Sequence, residues 1–156
     1  MTPLSIKRLA LPKNARFVSV RESRIERTGE WEGGQADVPY SVTRDSAAKL
    51  RFEFEGTGIG LVHPTFFDGG SFRVTIDGND QGTVTLRTPQ TWWNRRTLIA
   101  SDLPAGKHVI ELAPEVQSKP SSPVMPDRWP CYEPLYPRLF EAAGRTRAAI
   151  HGFEVW

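Results

Sequence analysis

Between residues 48 and 112, apolar and polar side chains alternate with a period of two residues, interrupted by short glycine turns. The segment Leu50-Arg51-Phe52-Glu53-Phe54-Glu55 places its apolar side chains on one face and its charged side chains on the other. A strand with one buried face has this period, whereas a helix brings together side chains three or four residues apart. The pattern therefore predicts antiparallel strands.

Turn signals separate these strands as β-hairpins require. Gly56-Thr57-Gly58 follows the segment above, and Asp77-Gly78 ends the alternating run 71–76. An Asp-Gly pair between alternating segments is a strong hairpin signal. Strands are predicted at 16–20, 23–27, 37–43, 48–55, 58–63, 71–76, 82–86, 96–100, 107–112 and 147–155. The predicted fold class is all-β, an antiparallel β-sandwich.

One connection is much longer than the others. Residues 113–146 contain seven of the thirteen prolines, a density that excludes regular sheet. The segment is also rich in aromatic residues, which disordered linkers lack, so we expect this proline-rich loop to pack against the sandwich. A short helix is predicted within it at 139–143. Residues 1–156 are thus expected to form a single domain that ends close to its last strand.

Antiparallel strands send successive connections to opposite ends of a sandwich. The tight glycine turns share one predicted end, which we call the tight-turn end. The longer connections share the other, the long-loop end: 44–47, 63–70, 87–95 and 113–146. Binding sandwiches commonly carry their ligand sites on such grouped loops. We therefore expect the functional site at the long-loop end.

Composition narrows the class of partner. Apolar residues make up 38% and charged residues 24%, as in ordinary soluble domains, and no segment reaches the length of a membrane span. The net charge is +2, and the basic residues are scattered without a Lys/Arg run. We therefore expect neither nucleic acid nor membrane as a partner. A single cysteine, Cys131, excludes an internal disulfide and a cysteine metal cluster.

Several segments, taken in order, resemble a known fold family. They are 54–62, 70–78, 103–112 and 149–155, preceded by the glycine-x-tryptophan element at 29–31. Together they resemble the galactose-binding-like jelly-roll modules of glycan-active enzymes, notably those attached to SGNH-type carbohydrate esterases. The resemblance concerns turns and core positions, and the insertion at 113–146 departs from it. It implies a jelly roll, a saccharide or catalytic-domain partner, and an extracellular or periplasmic location.

The sharpest candidate site is the run Trp92-Trp93-Asn94-Arg95-Arg96. Indole rings stack on the C–H faces of sugars, while amide, carboxylate and guanidinium groups bind the hydroxyls. Adjacent side chains of a strand point to opposite faces, so one tryptophan is expected to be exposed unless both pack under the proline-rich loop. One arginine beside them would suit an acidic glycan. The predicted ligand-binding residues are Trp92, Trp93, Asn94, Arg95, Trp129, Asp68, His63 and Tyr132, with Trp129 and Tyr132 equally suited to pinning the loop.

Catalytic and metal motifs are missing from the sequence. No Gly-x-Ser-x-Gly or Gly-Asp-Ser occurs, Ser46 lies in a predicted turn, and no histidine has an acidic partner by spacing. His108 and His151 are predicted to be structural. Residues 77–80 are oxygen-rich but lack the later glutamate of a calcium loop, so they are interpreted as a turn. No cofactor is expected, although a structural calcium ion remains an open alternative.

The sequence thus predicts a non-catalytic carbohydrate-binding or accessory module that docks a polysaccharide or oligosaccharide on loop aromatics. The alternative is a structural domain that packs against a catalytic SGNH-type esterase domain and binds no sugar itself. A hydrolase with a dispersed triad, using Ser46 or His63, is the third and least supported interpretation.

Overall fold

The computed structural model describes residues 3–4, 14–36, 38–116 and 146–156. These residues form strands and no helix, so the all-β prediction is confirmed. Within them, no helix has the length and hydropathy needed to cross a membrane. The strands are β1 (Pro3–Leu4), β2 (Arg16–Ser19), β3 (Ile25–Thr28), β4 (Glu32–Ala36), β5 (Val38–Thr43), β6 (Lys49–Glu55), β7 (Ile59–Thr65), β8 (Ser71–Ile76), β9 (Asn79–Thr85), β10 (Trp92–Ala100), β11 (Lys107–Glu115), β12 (Ala148–Ile150) and β13 (Gly152–Val155).

The strands form two large sheets and a smaller third one. The six-stranded sheet has the order β1-β9-β8-β11-β6-β3, and the four-stranded sheet has the order β10-β7-β13-β2. The third sheet has the order β12-β5-β4. The strand pairings are antiparallel except that of β1 with β9. Most of the proline-rich loop (117–145), including the helix predicted at 139–143, lies outside the described residues.

The core forms where the alternating faces of the two large sheets meet. Leu50, Phe52 and Phe54 of β6 are buried, while the residues between them are exposed. Phe52 stacks on Phe153 of β13, in the opposite sheet, with ring centroids 5.0 Å apart. Burial of such apolar surface, at about 25 cal/mol per Å², is the main favourable term in folding. The period-two pattern is therefore what holds the sandwich together.

The tight turns and the longer loops lie at opposite ends of the sandwich, as the sequence predicts. At the tight-turn end, the Gly56 N–H donates to the Gly106 carbonyl at 3.0 Å. At the long-loop end, the Arg147 N–H donates to the Asp68 carbonyl at 2.9 Å. The prediction that the longer connections meet at one end is confirmed for the parts of them that the structure describes.

Strand boundaries differ from the predictions at several places, and three of these differences lie near the long-loop end. The pattern misses β4, whose Gly34 lies under the ring of Tyr40, with the place of a Cβ only 2.2 Å from Tyr40 Cζ. β10 begins at Trp92 instead of residue 96. The single closing strand predicted at 147–155 divides at His151 into β12 and β13, which belong to different sheets. In each case a neighbouring strand, and not local propensity, determines the boundary.

His108 and Asp77 connect two turns at the tight-turn end, a pairing that sequence spacing does not reveal. Asp77 has a φ of 51°, and its Oδ2 lies 2.6 Å from His108 Nδ1. His108 Nε2 donates to the Pro104 carbonyl at 2.6 Å. The hydrogen bond to Asp77 is the main cause that raises the pKa of His108 above its ordinary 6.5, and the same bond lowers the pKa of Asp77. The structural role predicted for His108 is confirmed.

We expect His108→Gln to destabilise the domain most at acidic pH. Because the folded pKa of His108 is raised, its stabilising contribution is fully present below about pH 6.5 and is lost as the pH rises through the folded value. Urea unfolding of wild type and variant at about pH 5.5 and about pH 8.5 should therefore give a larger difference in unfolding free energy at the lower pH. The neighbouring exposed Lys107→Gln is the control, and a pH-independent difference for His108→Gln would contradict the assignment.

Candidate functional site

Trp92 and Trp93 are exposed side by side at the long-loop end, at the start of β10. Their side chains are 48% and 38% exposed, the highest values among the large aromatic residues of β10 and its neighbours. The prediction that at least one of them is exposed is therefore confirmed. Large apolar side chains at this exposure mark a candidate contact surface.

A β-bulge in β10 lies directly after Trp92. Trp92 pairs with Thr65 of β7 and Arg95 pairs with His63, so residues 93 and 94 together stand opposite Pro64 alone. Asn94 takes a φ of 55°, a left-handed conformation that asparagine tolerates better than most residues. The extra residue keeps Trp92 and Arg95 on the same face of β10, and both tryptophans are exposed to solvent.

The ring of Trp93 rests on other aromatic rings. Tyr40 of β5 lies 5.4 Å away, Phe66 contacts it edge-on at 5.7 Å, and His151 contacts it edge-on at 6.0 Å, all between ring centroids. Phe66 and His151 are fully or almost fully buried, so they fix the ring from below. We call Trp92, Trp93 and Tyr40 the aromatic platform. The sequence gives no signal for Tyr40, because its proximity depends on the pairing of β5 with β12.

Of the two arginines that follow the tryptophans, only Arg95 lies beside the platform. Its guanidinium carbon is 5.0 Å from the Trp92 ring centroid, a cation–π arrangement. Arg95 Nε is buried without a hydrogen-bond partner among the described residues. Arg96 points to the other face, where its Nε lies 3.2 Å from Glu154 Oε1. Strand alternation thus separates the two, as expected.

His151 fixes the bulge from inside the protein. Its Nε2 accepts a hydrogen bond from the Asn94 N–H at 3.4 Å, and its Nδ1 donates to the Pro39 carbonyl at 3.2 Å. These partners require the neutral ring protonated on Nδ1. Burial lowers the pKa of His151 below its ordinary value, in agreement with that state. The structural role predicted for His151 is confirmed, and it supports the platform.

His63 does not reach the surface, so the expectation that it contacts a ligand directly must be corrected. Its ring is fully buried. Nδ1 donates to the Pro64 carbonyl at 3.1 Å, and Nε2 lies 2.8 Å from Thr97 Oγ1. Burial is the largest cause that lowers the pKa of His63 to about 4, so the ring is neutral near neutral pH. The inward face of β7 places it there.

Asp68 requires the same correction. Its buried carboxylate is occupied by two arginines: Arg147 Nε lies 2.8 Å from Oδ1, and Arg44 Nη2 lies 3.3 Å from Oδ2. The Arg147 guanidinium also lies 3.7 Å above the ring of Phe66. Asp68 therefore ties its own loop to the β5–β6 connection and to the residue before β12 instead of offering oxygen atoms to a ligand.

A polar cleft opens beside these arginines. Its volume is about 790 Å³, and it lies between the β3–β4 connection, the end of β5 and the start of β12. We call this cavity the polar cleft. It is lined by Gly29, Glu30, Trp31, Glu32, Val42, Thr43, Arg44, Asp45 and Arg147. Sequence analysis does not identify this cleft, because its walls come from segments that are distant along the chain.

The remaining predicted features have separate outcomes. Asn94 and Arg95 lie beside the platform, whereas Trp129 and Tyr132 lie outside the described residues. Asp77 is engaged by His108 and by the Val109 N–H at 2.8 Å, in agreement with its interpretation as a turn residue. Among the residues that the structure describes, no group of three His, Cys, Asp or Glu side chains could hold a metal. A structural calcium ion stays a prediction.

Comparison with known families finds no match, and no curated protein is significantly similar in sequence. Solved structures are similar in fold. One is a family two carbohydrate esterase from Cellvibrio japonicus, with 11% identity, 91% of this chain and 33% of that chain covered, and a TM-score of 0.57. Another is an acetyl xylan esterase (Est2A) from the rumen bacterium Butyrivibrio proteoclasticus, with 11% identity, 90% and 32% covered, and a TM-score of 0.55.

A third is the CBM36-1 domain of a multidomain xylanase from the hindgut metagenome of Trinervitermes trinervoides. It shares 13% identity and a TM-score of 0.52, with 90% of this chain and 95% of that domain covered. The chain therefore spans about a third of the two esterase chains and nearly all of the CBM36 domain. At these identities the similarities establish the fold, and they confirm the resemblance to sandwich modules of glycan-active enzymes at that level.

We expect the domain to lose stability below about pH 6.5, partly through His63. Between that pH and the folded pKa of about 4, the unfolded chain binds a proton that the folded ring excludes. The free energy of unfolding should fall by about 1.4 kcal/mol per pH unit for this group. His63→Gln should be less stable at neutral pH but lose less on acidification in urea unfolding. Equal pH slopes for variant and wild type would contradict the buried neutral ring.

Asp68→Asn should destabilise the fold by about 2 kcal/mol. The value lies below the roughly 3–5 kcal/mol for breaking a fully buried pair, because Arg147 and Arg44 are 26% and 37% exposed and solvent screens them. Urea unfolding measures the change. Asp80→Asn, an exposed carboxylate 3.7 Å from Arg73, is the matched control and should cost well under about 1 kcal/mol. An equal loss of unfolding free energy in the two variants would show that Asp68 stabilises the fold no more than an exposed carboxylate does.

Proposed function

We propose that this chain is a non-catalytic carbohydrate-binding module that docks a saccharide on the aromatic platform. The observation that supports the proposal most is the exposure of Trp92 and Trp93 together at the long-loop end. An indole offers a flat apolar face to the C–H groups of a sugar, and burial of such a face contributes roughly one or two kcal/mol. The ligand class is thus a polysaccharide or oligosaccharide.

The backing of the platform favours binding. Trp93 is packed on Tyr40, Phe66 and His151, so its ring loses little conformational freedom when a ligand arrives. Arg95 lies over one face of Trp92 and would donate hydrogen bonds to sugar hydroxyls at the edge of that ring. Asn94 supplies an amide at the same place. With few polar contacts, the affinity is expected to be modest.

The structural neighbours agree with this class of function. A carbohydrate-binding domain of a xylanase covers nearly the same length as this chain, and the esterases carry the sandwich as a third of their length. The role of His63 argues against catalysis by this chain alone. A ring that is fully buried and bonded to Pro64 and Thr97 cannot serve as a base for the exposed Ser46.

The Trp92→Ala/Trp93→Ala double variant should lose saccharide binding, because both stacking faces are removed. Affinity electrophoresis against a panel of neutral and acidic polysaccharides, with tryptophan fluorescence in parallel, measures the loss. Phe17→Ala is the matched control: Phe17 is an aromatic residue exposed at 42% on β2, at the opposite edge of the four-stranded sheet from β10. Wild-type retardation that persists in the double variant would overturn the proposed site.

A second candidate is a structural module that uses the same exposed tryptophans to pack against a catalytic domain. The observation that favours it is the share of the esterase chains that the sandwich covers, 33% and 32%. An exposed apolar patch without its partner promotes self-association. If no saccharide retards the protein, and light scattering shows association that Trp92→Ala/Trp93→Ala abolishes, this second candidate replaces the first.

A further inference from the structure

The polar cleft lies close to the aromatic platform, and the side chains of Arg147 and Phe66 connect the two. Arg147 lines the cleft, and its guanidinium lies 3.7 Å above the ring of Phe66. Phe66 in turn contacts Trp93 at 5.7 Å between centroids. These two contacts put the Arg147 guanidinium within about 10 Å of the Trp93 ring. Because Phe66 itself is buried, these contacts show that the cleft and the platform are close together.

The donors of the cleft are held in place. Asp68, buried behind the cleft, receives Arg147 Nε at 2.8 Å and Arg44 Nη2 at 3.3 Å. A guanidinium has five N–H donors, and Arg147 donates to Asp68 through Nε only. Because the carboxylate and the Phe66 ring fix its position, Arg147 can donate to a ligand without a large entropic cost.

The acceptors of the cleft come from its other wall. Glu30 and Glu32 are exposed, and among the described residues neither side chain has an ion pair or hydrogen bond. Asp45, by contrast, is engaged in the turn: its carboxylate accepts from the N–H groups of Glu30 at 3.1 Å and Ala47 at 2.9 Å. The glutamates are thus the acceptors that remain for a ligand.

Trp31 provides the apolar part of the wall. Its ring packs partly against the core, and its Nε1 donates to the Thr28 carbonyl at 2.9 Å, which fixes its orientation. A rigid indole between donors and acceptors matches the chemistry of a sugar, whose hydroxyls both donate and accept hydrogen bonds around an apolar ring face.

The charges of the lining favour a neutral ligand. The carboxylates of Glu30, Glu32 and Asp45 outnumber the guanidinium groups of Arg44 and Arg147. The carboxylate of Asp68 already compensates part of the positive charge from behind. An anionic saccharide would meet repulsion at this end of the surface.

We propose that the polar cleft is a second subsite of the saccharide site, so that a neutral oligosaccharide chain extends from Trp93 across Arg147 into the cleft. The inference rests on the proposed function of the aromatic platform. It adds that Glu30, Glu32, Trp31 and Arg147 contact the ligand, that the ligand is a chain of several sugar residues, and that it carries no charge where it enters the cleft.

Calorimetric titration with neutral xylo-, cello- and manno-oligosaccharides, from disaccharide to hexasaccharide, tests the subsite. Wild-type affinity should rise with chain length. The Glu30→Ala/Glu32→Ala variant should bind the longest chain about tenfold more weakly, as expected for lost charged hydrogen bonds, and the disaccharide almost normally. Both glutamates are exposed, so the variant should fold. The exposed pair Glu53→Ala/Glu55→Ala on β6 is the matched control.

Arg147→Lys keeps the charge but loses the planar donors, and it should show the same loss confined to long chains. If cleft variants bind every length as wild type does while Trp92→Ala/Trp93→Ala loses binding, the second subsite is overturned and the platform stands. If wild type binds none of the sugars, the proposed function fails, and the subsite fails with it. Tighter binding of an oligogalacturonide than of a neutral chain of equal length would overturn the inference that the ligand is neutral.

Discussion

The arrangement of this domain depends on the hydrogen bonding of one buried histidine. His151 stands where the chain leaves the three-stranded sheet and enters the four-stranded one. Its N–H donates to the Val62 carbonyl at 2.8 Å, and its carbonyl accepts from the Val20 N–H at 2.9 Å. Its ring joins the Pro39 carbonyl to the Asn94 N–H. All four polar groups of one buried residue are thus satisfied by four different segments.

That geometry supports the exposed aromatic residues at this place. The Asn94 N–H donates to the ring of His151 within the bulge of β10, beside the two exposed tryptophans. Tyr40 arrives from the neighbouring sheet to cover the side of Trp93. The surface is therefore supported by elements of two sheets. This makes it more rigid than a loop carrying the same residues would be.

The protonation state of each of the three histidines follows from its surroundings and not from the residue type. Pro39 accepts and Asn94 donates, so His151 must be neutral. His63 is neutral because burial disfavours its charge, whereas His108 lies between a carbonyl and a carboxylate, both acceptors, and is charged more readily. The same logic applies to Asp68. The sequence predicts that it binds a ligand, but its ion pairs with two arginines give it a structural role. Polar residues near a site are thus often its supports.

The sequence by itself determined most of the strands, the tight turns, the grouping of long loops and the exposure of a tryptophan, because these depend on alternation and turn chemistry within short segments. It did not determine that His63 and Asp68 are buried, or that Tyr40 and Arg147 lie near Trp93. Alternation assigns a residue to a face, but only the packing of sheets decides what covers that face. The split at His151 and the polar cleft depend on pairings between segments far apart in the chain, and such pairings leave no local signature.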